Sequence, residues 1–449
     1  MDRPENILFL SVEDLNDYIT PLGGHPDAVT PNLQRLADRG ALFTNAMSTS
    51  PACSPARTAT MFGQAPWRTG IYFNEHKHWH FYPKASALSL PGYLKSLGWK
   101  TYGTGKIFHG RYDCLDMADW SDYFYKPQDK LPAYSKVLKS GMVKPMMDFG
   151  AAPRGEPLWD DFNFDFIQSK ITPEARGCFW AYGVYRPHLP FIAPEEYFDL
   201  IPEQPSNPPG LYPNAYGDHD PTYERLPEAA RMLLWRSAFN GRKMKRTGEY
   251  YPYLRAYLAS SAYADALIGK VLDRLEETGQ ADKTLIVLWS DHGQQFGEKT
   301  GFRKFTLTER SLRVPIMISG PGISPSKVGD AVSLLDIYPT LLSYLGLDAP
   351  HHLDGQDLTP LISGDQNSLR GHAVSVWGVE EGMDFNPALT VRTKTHRYCF
   401  YWNGEEELYD HRTDPFEHHN LAAGADQASL IEELAGRLPN DMAPPIQQN

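Results

Sequence analysis

Asn6 to Val12 is an apolar run of strand length that stops abruptly at Glu13 and Asp14. An uninterrupted run of this kind reads as a parallel strand buried on both faces, ending at a polar crevice. Thr284 to Ser290, TLIVLWS, repeats the arrangement and stops at Asp291, His292 and Gly293. Between them, TPNLQRLADRG has helical spacing, with Thr30 as cap and Gly40 as stop, and PEAARMLLWRSAFN is a second helical pattern. GCFWAYGVY reads as another buried strand. Helices alternating with such strands predict a doubly wound α/β sheet. Ligands bind beyond the carboxyl ends of the strands in these sheets, where both acidic clusters would lie.

Two stretches, roughly 126–157 and 202–221, are rich in loop formers and are expected to wall a pocket. After about Ser363 the pattern changes to short strand-like pieces, VSVWGV, ALTVRT and HRYCFYW, followed by a polar helix around Asp426 to Leu438. The expected organisation is a catalytic domain over 1–365 and a C-terminal α+β subdomain over 366–449, with a small antiparallel sheet and a helix. YYPYLRAY is either an interface or the face of a helix packed on the sheet, so oligomeric state stays open.

With 449 residues and 41% hydrophobic content the chain can bury one large core with a smaller attachment. The net charge of -12 argues against nucleic acid and acidic membrane as partners, so an anionic substrate needs a local basic pocket. The start, MDRPENILFLSVEDL, contains neither a secretory apolar region nor a membrane span, and a cytoplasmic protein is expected from the chain as it stands. Cys53, Cys114, Cys178 and Cys399 are scattered without C-x-x-C spacing, which points away from both a disulfide framework and a zinc ribbon.

SPACSPARTATMFGQAPWRTGIY places Cys53, Pro55 and Arg57 as C-x-P-x-R ahead of a helix-compatible run. A nucleophile at this position faces unpaired helix N–H groups that favour an anionic ester. With this motif, the ordered segments TPNLQRLADRGALFTNA, GYLKSLGWKTYGTGK, SDHG with a following GE, and ELYDHRTDPFEHHNLA resemble the sulfatase family along nearly the whole chain. GTGKIFHG, GVYRPHLPF and IYFNEH are similar to its iduronate-2-sulfatase-like branch. The resemblance implies an alkaline-phosphatase-like fold. It also implies a maturation enzyme that oxidises Cys53 to formylglycine, whose hydrated gem-diol would attack the sulfur of a sulfated small molecule or oligosaccharide.

Carried onto this sequence, Glu13, Asp14, residue 53, Asp291 and His292 would hold one divalent cation. Hard oxygen donors place calcium first, with magnesium or manganese as alternatives. Glu13 departs from the family, which commonly has two Asp residues in this strand; its extra methylene carries the carboxylate about one bond length further out. The resemblance gives Arg57 the orientation of the gem-diol, and gives Lys106 and Lys304 contact with the sulfate oxygens. His188 would protonate the departing alkoxide and His109 would assist collapse of the sulfated hemiacetal, with the reverse division open.

His76, His78 and His80 alternate in EHKHWHF, a spacing expected for one strand face or a substrate-facing loop, with Trp79 available to stack on a sugar or aglycone. Lys299, in GEKTG, is expected either at the pocket entrance reading a substrate carboxylate or as a solvated loop charge. Two other functions fit the same motifs: a phosphodiester or phosphonate monoester hydrolase, and a noncatalytic sulfated-glycan-binding protein in which Glu13 has spoiled the metal site.

Overall fold

The structure is a computed structural model that describes residues 3–81, 88–110, 117–125, 149–212, 220–237, 244, 247–364, 369–381 and 384–446. Nine strands form the central sheet, in the order Ser326–Val328, Gly40–Met47, Arg313–Ser319, Thr284–Ser290, Asn6–Val12, Cys178–Val184, Lys100–Gly105 and Asp122–Phe124, with Val332–Ser333 also on Gly40–Met47. The sheet is mixed because Arg313–Ser319 runs antiparallel to both neighbours while the other pairings are parallel. The first strand is central, with Ile7 opposite both Phe179 and Leu285.

Its sequence is apolar apart from Asn6 and Ser11 because both faces are covered. Leu8, Leu10 and Val12 join the core under the 28-residue helix Tyr250–Glu277, and Ile7 and Phe9 join the core beneath the helices Cys53–Phe62 and Ile337–Leu345. Tyr250, Tyr253 and Tyr257 are buried in the long helix, so YYPYLRAY packs inward.

This topology assembles the site. The strands ending at Met47, Gly105, Val184 and Ser290 share the direction of the strand ending at Val12, so the residues that follow each of them emerge on one rim. That rim receives Glu13 and Asp14, the approach to Cys53, Lys106, His188, and Asp291 with His292.

Several local expectations need correction. The helix Pro31–Ala37 ends before Gly40, which instead opens the strand Gly40–Met47. A side chain at Gly40 would meet the Ile318 carbonyl at 2.3 Å, so close strand approach explains that glycine. Thr30 does not cap with its side chain, whose hydroxyl bonds Thr20; Asp265 of the long helix accepts from the Asn32 and Leu33 amides at 3.1 and 2.7 Å. Within the stretch expected as a loop at 126–157, Phe149–Ala152 is a strand parallel to Phe191–Pro194, and 126–148 lie outside the described residues, as does Cys114.

The C-terminal part is a four-stranded antiparallel sheet, His372–Glu381, Asp384–Thr393, His396–Phe400 and Glu406–Asp410, with the helix Ala428–Ala435 packed on Val391, Tyr398 and Leu408. It is stitched to the segment before Cys53: the Val376 amide donates to the Thr49 carbonyl at 2.9 Å and the Ser375 hydroxyl to the Ser48 carbonyl at 2.5 Å. Among the described residues no helix is long and apolar enough to cross a membrane.

Candidate active site

Cys53 is the first residue of its helix, fully buried, with its sulfur 3.2 Å from Lys304 Nζ and 3.3 Å from His292 Nε2. Burial pushes the thiol up to about 12, against the pull of Lys304. A group that stays a neutral thiol at neutral pH is a weak nucleophile and a weak metal ligand, although its position at a helix N-terminus among cations suits an oxygen nucleophile and an anion.

Asp14 sits just past the strand end in the left-handed region, φ 56, which an Asp tolerates better than most residues. Its Oδ1 is 2.7 Å from Lys304 Nζ and 3.4 Å from His292 Nε2, and its Oδ2 accepts from Gln294. The Tyr257 hydroxyl donates to the Asp14 carbonyl at 2.9 Å and fixes that turn. Asp291 Oδ1 accepts from the Asp14 and His292 amides, and its Oδ2 from Arg57 Nε at 2.9 Å. Burial alone would raise the Asp291 carboxyl, but Arg57, His292 and the two lysines outweigh it and hold it well below the usual carboxylate range.

Arg57, one turn into the helix, also donates to Ser11 Oγ at 2.8 Å and to the carbonyls of Lys106 and Ile107. It therefore ties three strand ends together and sets the Asp291 carboxylate. Burial lowers His292 to about 4, so the ring is neutral, and Nδ1 lies 3.2 Å from the Gly293 carbonyl. That pairing assigns the proton to Nδ1 and leaves the Nε2 lone pair facing Cys53.

Glu13 reaches Lys106 through Oε1, while Oε2 is buried without a partner among the described residues. His188 Nε2 lies 3.8 Å from the same Oε1, and its Nδ1 bonds the Leu189 carbonyl. Burial, reinforced by Lys304 and Lys106, holds His188 well below its ordinary value. His109 is held down likewise, first by burial and then by Lys106, and its buried Nδ1 has no partner among the described residues. Three carboxylates thus face Arg57, Lys304 and Lys106 around residue 53, with burial lowering Lys106 to about 7. Asp14, Cys53, Asp291 and His292 each offer a ligand atom within 4.8 Å of the others, and so do Glu13, Asp14, Cys53 and His188.

Sequence reasoning passed over Gln294, Ser11, Tyr257 and Asn74. Gln294 and Ser11 left a signal, a polar residue inside or just beyond an apolar strand; Tyr257 left none, being one tyrosine among many on its helix. Asn74 accepts from the Ser54 amide at 2.9 Å and the His76 carbonyl from the Ser54 hydroxyl, so the IYFNEH loop supports the helix start.

His76 is buried and accepts from the Tyr72 amide, and His78 opens a short helical turn, His78–Phe81, rather than a strand, so the alternate spacing marks no common face. The side chains of Trp79 and His80 lie outside the described residues. Lys299 is neither at the entrance nor solvated: it is buried against Tyr409 and Glu417, with Nζ 4.4 Å from the Tyr409 ring centre.

The family model described as Sulfatase matches residues 5–347, and a second, N-sulphoglucosamine sulphohydrolase, C-terminal, matches 297–443. A sulfatase of Formosa agariphila is 32% identical, over 99% of this chain and 88% of that protein. A choline-sulfatase of Rhizobium meliloti is 29% identical over 95% and 84% of the two chains, and human iduronate 2-sulfatase 25% over 96% and 93%. Among solved structures, a phosphonate monoester hydrolase of Agrobacterium radiobacter superposes with a TM-score of 0.77 at 21% identity, covering 97% of this chain and 94% of that one. A protein solved with its substrate D-glucosamine-2-N,6-O-disulfate gives 0.74 at 20% identity, covering 97% and 96%. These similarities match the expected alkaline-phosphatase-like α/β fold.

Proposed function

This chain belongs to the sulfatase family of sulfuric ester hydrolases, and we propose that it cleaves a sulfate ester of a carbohydrate using formylglycine at position 53 and one divalent cation. The observation that carries the reading is the setting of Cys53, whose thiol is disabled by burial yet stands at a helix N-terminus between Lys304 and His292.

The residues fit a cation. Asp14, Asp291, His292 and residue 53 converge, and the orphaned Glu13 Oε2 is a buried lone pair on the same rim. The oxygen-dominated set places calcium first. The hydrated aldehyde would supply an oxygen nucleophile, and the cation would favour its ionised form and offset charge on the sulfate.

The remaining work falls to the chain's own side chains. Arg57 holds the Asp291 carboxylate in place. Lys304, bonded to Asp14, and Lys106, bonded to Glu13, are placed to donate to sulfate oxygens as the leaving-group bond breaks. In the resting site these lysines help keep His188 and His109 neutral; an anionic ester between them cancels that repulsion and raises both rings toward the working pH. His188 then gives its proton to the departing alkoxide, and His109 takes one from residue 53 in the second step.

The test is turnover by protein coexpressed with a formylglycine-generating enzyme, with peptide mass mapping at position 53. Expected are formylglycine at 53, hydrolysis of sulfated sugars ahead of aryl phosphodiesters, and a loss of at least about thousandfold in Cys53→Ala. Preference for the phosphodiester with negligible sulfate turnover, or full activity with an intact thiol, would overturn the proposal.

A further inference from the structure

Arg303 differs from its neighbours in having no carboxylate partner among the described residues. Arg57, Arg310, Arg392 and Arg397 all bond carboxylates. The Arg303 Nε is buried without an acceptor, and among the described residues its guanidinium has neither a hydrogen bond nor an ion pair. The Phe305 ring lies 5.9 Å from the Arg303 Cζ.

The backbone around it is unusual. Arg303 and Phe305 both have left-handed φ, 69 and 75, on either side of Lys304, conformations that side-chain-bearing residues adopt only when their surroundings impose them. The Phe305 amide donates to the Pro51 carbonyl at 3.2 Å, two residues ahead of Cys53, and Lys304 Nζ lies 5.8 Å from the Phe305 ring centre. The contorted segment therefore puts Lys304 on the nucleophile, with Arg303 and Phe305 on either side of it in the chain and Arg303 against the Phe305 ring. Phe305 stacks on Trp377 of the C-terminal sheet at 5.3 Å, and Phe73 meets Trp377 edge-on at the same separation. All three rings are half-buried.

We propose that Arg303, with Phe305, Trp377 and Phe73, forms the subsite for the alcohol part of the ester, and that this alcohol is a sugar ring bearing a second oxyanion, a carboxylate or another sulfate. The aromatic surface receives the apolar face of the ring. The guanidinium supplies a fork of donors matched to a planar or tetrahedral oxyanion, and its Nε is buried, where lacking an acceptor is unfavourable. Lys106 and Lys304 are already committed to the sulfate that is cleaved.

The inference rests on the carbohydrate-sulfatase reading above, and the experiment separates the two. Matured protein is assayed for kcat/KM on a sulfated uronic acid, a disulfated glucosamine and a neutral monosulfated sugar. The wild type is expected to prefer at least one acidic substrate to the neutral one. Arg303→Gln should lower that preference at least about tenfold, through KM, and Arg303→Lys should recover part of it. The acidic substrate that suffers identifies the group read, carboxylate or second sulfate. An unchanged preference in both variants, or an equal kcat loss on all three substrates, overturns the subsite. Absence of sulfate turnover by the matured wild type would instead sink the functional reading.

Discussion

At the strand ends, Asp14, Asp291 and His292 surround Cys53; under the C-terminal sheet, Glu309, Glu417 and His411 surround Arg392 and Arg397. The first is fully buried and the second half-buried at Glu309 and His411, and both bring two carboxylates and an imidazole within 4.8 Å. Their bonding differs. Arg397 engages both oxygens of Glu417, Arg392 both oxygens of Glu309, and His411 bridges them, with Nδ1 2.9 Å from Arg392 Nη2 and Nε2 3.2 Å from Glu417. No polar atom of those five side chains is left over. On the strand-end rim, Glu13 Oε2, Arg57 Nη2, His109 Nδ1 and Gln294 Oε1 are buried without partners among the described residues. A closed network holds structure together, whereas buried polar atoms without partners are tolerated where a ligand bonds them. The two are coupled through the chain, because the segment bearing Arg303, Lys304 and Phe305 is pinned at Lys299 and Glu309, both bonded to the closed cluster.

The largest effect expected from this contrast is on stability. Glu417→Ala leaves Arg397 and Lys299 buried without their carboxylate and should cost about 3–5 kcal/mol in urea unfolding. Asp14→Asn removes one member of an open site and should cost far less. Equal losses in the two variants would erase the distinction between them.

Next in size is the response to a cation. Calcium at about a hundredfold over its Kd should stabilise metal-free protein by about 2.7 kcal/mol, read as a rise in Tm. Asp291→Asn should abolish the rise, and Glu309→Gln should keep it. A calcium response lost in Glu309→Gln and kept in Asp291→Asn would put the ion in the wrong cluster.

How much of this was legible depended on whether the cause was local. The strands Asn6–Val12 and Thr284–Ser290 were read to the residue, because a strand covered on both faces leaves a nearly continuous apolar run that ends where the polar rim begins. Cys53 and the acids beside it were legible as motif positions. Lys299 was misread because its partners, Tyr409 and Glu417, are supplied from more than a hundred residues away. Arg303 drew no notice for a related reason: its distinction is the absence of an acceptor for Nε among the described residues, which no sequence pattern encodes. The cap of the helix Pro31–Ala37 was assigned to Thr30 because caps are usually local, yet the long helix brings Asp265 to the same amides.

Asp265 also gives the smallest and most selective test, since it is a buried carboxylate held by amide donors with no cation partner among the described residues. Burial raises it to about 6, and its bonds to the Asn32 and Leu33 amides and the Asn32 side chain only partly offset that. Because the folded value lies above the unfolded one, between about pH 4 and 6 the folded chain holds a proton that the unfolded chain has lost. This contribution to stability is therefore complete below about pH 4 and disappears as pH rises through about 6. Urea unfolding at several pH values should show wild type losing stability relative to Asp265→Asn across that window, by at most about 1.4 kcal/mol per pH unit. Parallel pH profiles for the two proteins would mean that the helix-capping carboxylate is ionised in the fold, and that amide donors alone can hold a buried charge here as firmly as the arginines hold Glu309 and Glu417.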